Sequence, residues 1–220
     1  MSVDSDLFPQ IVLCWFSKHE RDFPWRKTHN PYYLFVAEVL LRRTQAERVV
    51  QPYQKLIEKY PTPESLSLAD VQEMRKVFQP LGLTRRANLL VEAARRIIKE
   101  HGGQVPNSIS AILTLPGMGI YSSRAVACLA FGESVPMIDE SSGRLLRRVL
   151  NLERNMPAYS DKQLMRQVAE IIPSQHPREF NLGVLDIAAA FCHQNTPSCI
   201  NCPLTKICSF SQTLNRTNVS

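Results

Sequence analysis

Glycine is scarce here, with 8 among 220 residues against a usual share of about 7%. That excludes collagen-like repeats and flexible Gly/Ser linkers. Long apolar runs are missing as well: nothing approaches the ~20 residues of a membrane span, so no membrane partner is expected. The opening MSVDSDLFPQ carries acids where a secretory leader carries basic residues, and the chain reads as intracellular and cytoplasmic. No stretch alternates β-branched and polar residues in the manner of a strand. Internal repeats and low-complexity tracts are also lacking. Cysteine is rare until the end: Cys14 and Cys128 stand singly among apolar neighbours and read as small buried hydrophobes.

What is present is helical patterning. Asn30-Pro31 opens one helix as N-cap and N1, running on as YYLFVAEVLLRRTQAERVV. Thr84 can cap RRANLLVEAARRIIKEH, which Gly102-Gly103 ends. Ser160 with Gln163 has the spacing of a capping box. Proline and glycine fall between the periodic segments, so the fold class is all-α with many short helices. The expected division is two helical lobes flanking a cleft: residues 31–132 in a central lobe, and 1–30 with 133–220 in a second. A hydrophobic share of 44% is enough for a sizeable core. Lys and Arg number 26 against 20 Asp and Glu, a net charge of +6 with pI near 9.1. That excess suits a polyanionic partner without proving one. Arg42/Arg43/Arg48, Arg85/Arg86, Arg95/Arg96 and Arg144/Arg147/Arg148 form local groups, read as solvated helix faces or nucleic-acid contacts.

Four cysteines crowd the C-terminal segment 192–208: Cys192, Cys199, Cys202 and Cys208. An intracellular chain does not favour disulfides. Structural zinc sites usually pair two short knuckles, and only one C-x2-C is present. Four thiolates in one compact loop can instead hold a [4Fe–4S] cluster, one sulfur per iron. The spacing favours the cluster and leaves zinc, or no metal, open.

LPGMG, residues 115–119, joins two helical segments. Without a Cβ, Gly117 and Gly119 let backbone N–H groups approach a phosphate, and the next helix offers its positive end. An ordinary helix–helix turn explains the same residues. After about three turns of helix, Tyr121–Phe131, and the stretch GESVPMID, Asp139 falls at the N-cap of ESSGRLLRRVL. A plain cap accounts for it. A fixed anion of this kind could also face a sugar ring developing oxocarbenium charge. Glu38 sits in an apolar wall, YYLFVAEVLL, where a carboxylate either finds a partner or keeps its proton.

Together these segments, from Phe23 to Cys208, resemble the endonuclease III superfamily of helix-hairpin-helix DNA glycosylases. The resemblance implies that Asp139 is the catalytic carboxylate and that Glu38 assists protonation or activates water. It makes the cysteine loop a structural cluster, and duplex DNA with a mismatched or damaged base the partner of a monomer. Lyase-active members carry a lysine just past the hairpin; here stands Tyr121, and a phenol cannot form an imine. Tyr121 with LLRRT is similar to the thymine/uracil mismatch glycosylases. The implied activity is hydrolytic removal of thymine or uracil opposite guanine, without lyase activity. By the same resemblance Arg43 and Leu182 are wedges filling the gap left by an extruded base. Two departures are Ser141, where the family often has Asn, and Gly143, expected to loosen the following helix. Three alternatives remain: an adenine glycosylase acting on A·G or A·8-oxoguanine, a lyase-active endonuclease, and a non-catalytic iron–sulfur DNA-binding module.

Overall fold

The computed structural model describes residues 7–153 and 156–217, and every regular element among them is helical. The chain divides into two compact units, Asp22–Gly132 and Met1–Arg21 with Glu133–Ser220. Among the described residues no helix is long and apolar enough to cross a membrane.

In the 22–132 unit, α2 (Pro31–Leu41) starts where the sequence indicates: the Asn30 side chain accepts from the Tyr32 N–H at 2.9 Å. The first helix of the chain, α1 (Leu7–His19), belongs to the other unit. Because YYLFVAEVLL offers no polar face, α2 is buried at Tyr32 and continuously from Leu34 to Leu40. Around it stand α3 (Ala46–Lys59), α6 (Arg85–His101) and α8 (Ile120–Phe131), while α4 (Pro63–Ser67) and α5 (Val71–Phe78) cover α6. Gly102 ends α6 with φ +59°, as its position predicts. Thr84, expected to cap α6, makes no side-chain cap bond, and its own backbone is already helical. The short α7 (Ile109–Thr114) packs against α8 across the hairpin.

In the other unit, α1 lies along α11 (Pro177–Ala190), which also meets α9 (Glu140–Leu150). The close approach of α1 to α11 needs Gly183. A Cβ there would stand 2.7 Å from Val12 Cγ1 and 3.1 Å from Phe16 Cβ. Phe8 and Phe180 meet edge to face at 5.6 Å within a core that includes Ile138, Leu146, Val149 and Ile187. The helices α10 (Lys162–Ile171) and α12 (Ser209–Thr217) both flank α9.

Three further sequence expectations are corrected. The N-cap of α10 is Asp161, whose carboxylate accepts from the Leu164 N–H at 3.0 Å; Ser160 lies in the preceding 3₁₀ turn. Cys14 is exposed, because the apolar stripe of α1 runs through Phe8, Val12 and Phe16 and leaves position 14 outside; Cys128 is buried as expected. Gly143 does not loosen α9. A Cβ there would fall 2.3 Å from Ala158 Cβ, so the missing side chain lets α9 touch the 158–160 turn.

Candidate active site and cysteine loop

Asp139 caps α9. Its Oδ1 accepts from the Ser142 N–H at 2.7 Å and the Ser142 hydroxyl at 2.8 Å. The Asp139 N–H donates to Ser142 Oγ at 2.9 Å, completing a capping box. The Ser141 hydroxyl donates to Oδ1 at 2.9 Å and reaches Oδ2 at 3.2 Å. Ser141 therefore orients the carboxylate although it replaces the family's Asn. The side chain is half-buried, so it is both held and reachable. Sequence reasoning missed Ser142, whose reciprocal bond is recognisable as the N3 partner of a capping box.

Glu38, Tyr121, Arg43, Gly117 and Gly119 all belong to the 22–132 unit, whereas Asp139, Leu182 and the four loop cysteines belong to the other. Glu38 is 5% exposed on α2, which packs on α8. Tyr121, half-buried, is the second residue of α8. The hairpin between α7 and α8 is closed by Met118 N–H donating to the Leu115 carbonyl at 3.1 Å. Gly117 adopts φ +87°, a region that favours glycine. Gly119, the N-cap of α8, has an extended backbone, and a Cβ there would meet nothing within 4 Å. Neither packing nor conformation requires that glycine, and the space before the helix's first amides is open.

Arg43 follows α2 with φ +55°, rare for a residue with a side chain, and is exposed. Its neighbours hold that turn in place. Arg42 Nη1 donates to the Gly117 carbonyl at 2.7 Å. Arg86 Nη1 donates to the carbonyls of Val39 and Arg42, closing the end of α2. Burial, then the nearby Arg42 and Arg43 charges, push the Arg86 guanidinium below its ordinary value. Leu182 is 4% exposed within α11, so in this conformation it presents almost no surface to a duplex.

The arginines of α9 are neither a solvated face nor an open basic patch. Arg147, 4% exposed, pairs with Asp161 at 2.7 Å and donates to the Met156 carbonyl. Arg144 Nε donates to the Cys192 carbonyl at 2.8 Å. Arg148 donates to Cys192 Sγ at 3.3 Å and to the carbonyls of His193 and Gln194. It also lies 4.3 Å from the centre of the Phe210 ring.

All four loop cysteines are free thiols. Burial pushes the Cys202 thiol up to about 11, and Cys208, Cys192 and Cys199 add to the rise, which places the four within electrostatic reach of one another. Backbone amides of Phe210 and Ser211 point at Cys208, and that of Leu204 at Cys202. Among the described residues no three Cys, His, Asp or Glu side chains meet as a single-ion site. One zinc ion needs its sulfurs at ~2.3 Å from a common centre. A [4Fe–4S] cluster takes one thiolate per iron, a donor set that these four cysteines match.

The chain is 37% identical over 205 residues to the thymine/uracil-DNA glycosylase of Methanothermobacter thermautotrophicus, covering 93% of each. It is 32% identical over 195 residues to the adenine DNA glycosylase of Mycobacterium tuberculosis, covering 88% of this chain and 64% of that longer one. Its fold matches the solved structure of a thermostable thymine-DNA glycosylase with a TM-score of 0.87 at 36% identity, over 94% of this chain and 96% of the other. Residues 36–174 carry the signature of the HhH-GPD superfamily of base excision DNA repair proteins, and the chain belongs to that superfamily.

Proposed function

We propose that this protein is a monofunctional DNA glycosylase that removes thymine or uracil mispaired with guanine. The observation that carries the reading is the Asp139 carboxylate, held by Ser141 and Ser142 at the first turn of α9 and still half-exposed. An anion fixed beforehand stabilises positive charge developing on a deoxyribose without having to reorganise.

In the proposed reaction the duplex is gripped at the LPGMG hairpin, with phosphate oxygens meeting the open amides at Gly119. The target nucleotide leaves the stack, and Arg43, exposed on its raised turn, takes the space. As the C1′–N1 bond breaks, its electron pair passes to the base and Asp139 faces the oxocarbenium-like sugar. Water adds at C1′, and the proton it releases ends on the departing base. Glu38 relays that proton. Tyr121 lines the pocket and supplies no amine, so the sugar is released as an abasic site without strand cleavage. Cys192, Cys199, Cys202 and Cys208 would hold a [4Fe–4S] cluster that braces the fold. Similarity to thymine/uracil glycosylases, spanning nearly the whole of both chains, supports the substrate assignment. The protein is proposed to act as a monomer.

The test is incubation with G·T, G·U, A·G and A·8-oxoguanine duplexes followed by alkali. Cleavage at G·T and G·U is expected, with Asp139→Asn losing it while still binding the duplex. Excision confined to A·G and A·8-oxoguanine would overturn the substrate assignment, and full turnover by Asp139→Asn would overturn the mechanism.

A further inference from the structure

Asp139 is reached through segment 133–138, which joins Gly132 at the end of α8 to the cap of α9 and has no helical structure of its own. Within it, among the described residues, the one bond between backbone groups is Val135 N–H to the Glu133 carbonyl at 2.9 Å. Such a segment, left alone, samples many conformations and carries the following carboxylate with it. One side chain from α11 spans it. The Asn181 carboxamide oxygen accepts from the Met137 N–H at 2.9 Å, and its Nδ2 donates to the Val135 carbonyl at 3.1 Å. The same Nδ2 donates to the Pro177 carbonyl at 2.8 Å, one turn back on α11, which holds the amide in this orientation. Asn181 is 3% exposed, so water does not compete for these bonds.

We propose that Asn181 is a positioning residue for Asp139: its amide bonds to residues 135 and 137 set where the carboxylate stands, and thereby the rate of base excision. The proposal rests on the reading of Asp139 as the catalytic anion. The chemistry at position 181 is specific. An acceptor is needed for one backbone N–H and donors for two carbonyls, which a carboxamide satisfies and a carboxylate or aliphatic group of similar size does not. Pro136, Met137 and Ile138 are buried, the proline fixes its own φ, and the Asp139 N–H is held by Ser142 Oγ at 2.9 Å, which leaves the peptides from 135 to 137 to be oriented by hydrogen bonding. Asn181 supplies those bonds, at Val135 and at Met137, two residues before Asp139.

Single-turnover excision from a G·U duplex is measured for the wild type, Asn181→Ala and Asp139→Asn. Duplex affinity, melting temperature and hydrogen exchange at the Met137 amide are measured in parallel. Misplacing a reacting group by about an ångström costs on the order of 100-fold. Asn181→Ala should therefore slow excision by roughly 10- to 100-fold, expose the Met137 amide to exchange, and leave duplex affinity within about threefold when assayed well below its melting temperature. A simple stabilising role would lower the melting temperature and leave the excision rate of the folded protein intact. Asn181→Ser, smaller but polar, carries the same expectations if the alanine variant does not fold. Excision within twofold of wild type, while the Met137 amide has lost protection, overturns the positioning role. Full activity of Asp139→Asn overturns the reading beneath it instead.

Discussion

At the scale of single residues, Gly143 shows how a missing side chain can be a packing decision. A Cβ at 143 would sit 2.3 Å from Ala158 Cβ and 3.2 Å from Ile138 Cγ2. Ala158 cannot rotate its Cβ aside without moving the backbone, so the clash is rigid. Gly143→Ala is expected to cost about 1–3 kcal/mol through overpacking, although alanine favours a helix over glycine by about 1 kcal/mol. Adding Ala158→Gly in the same chain should recover much of the loss. Urea unfolding of the two single variants and the double variant reads this directly. Additive losses would show that the two positions do not share the contact. The same residue misled sequence reasoning, since a glycine inside a helix reads as a weak point unless its neighbour is known. Ser141 carries the opposite lesson: a departure from the family pattern still supplies a donor to Asp139.

At the scale of elements, α10 depends on a residue one position later than its apparent cap. Asp161 receives the Leu164 N–H and the Arg147 guanidinium at once. Burial works against its charged form, yet the Leu164 amide and the Arg147 charge outweigh it and hold the Asp161 carboxyl below the usual carboxylate range. A depressed value means the folded state releases this proton more readily than the unfolded chain. The stabilisation is present in full above the unfolded value of about 3.9 and is lost as pH falls through the lower folded value. Asp161→Ala strands a buried guanidinium and should destabilise the protein by about 3–5 kcal/mol at neutral pH. The variant should also lose the corresponding acid-dependent part of its unfolding curve below about pH 4. Melting temperatures across pH 3–7 for both proteins check the magnitude and the slope together. A variant as stable as wild type at pH 7 would show that the pair contributes nothing net.

Across the whole molecule, α9 joins two features that are far apart in the sequence. Its first turn holds Asp139, while Arg144 and Arg148 tie the Cys192 end of the cysteine loop to its side. Ser209, at the start of α12, donates to the Val149 carbonyl near its end. Burial first, and then the neighbouring cysteines, raise the proton affinity of Cys199, Cys202 and Cys208, and a bound cationic centre would favour their thiolates. Protein isolated without oxygen is expected to contain iron and inorganic sulfide in equal amounts. Cys202→Ser should lower both the iron content and the melting temperature. Stoichiometric zinc with no sulfide would replace the cluster with a single-ion centre.

Much of this was legible in the residues themselves. Helical periodicity, the Asn30 and Asp139 caps and the Gly102 stop are local, because a cap or a left-handed stop is decided by chemistry within a few residues. The buried setting of Glu38 was legible too, from a helix without a polar face. Tertiary structure alone decided what depends on neighbours distant in the chain. It turned the Arg144/Arg147/Arg148 cluster inward on carbonyls, a carboxylate and a sulfur, left Cys14 in solvent and Leu182 covered, and brought Asn181 to the backbone ahead of Asp139. A long polar side chain is drawn equally to water or to an unpaired buried group, and only the folded chain determines which of the two it meets.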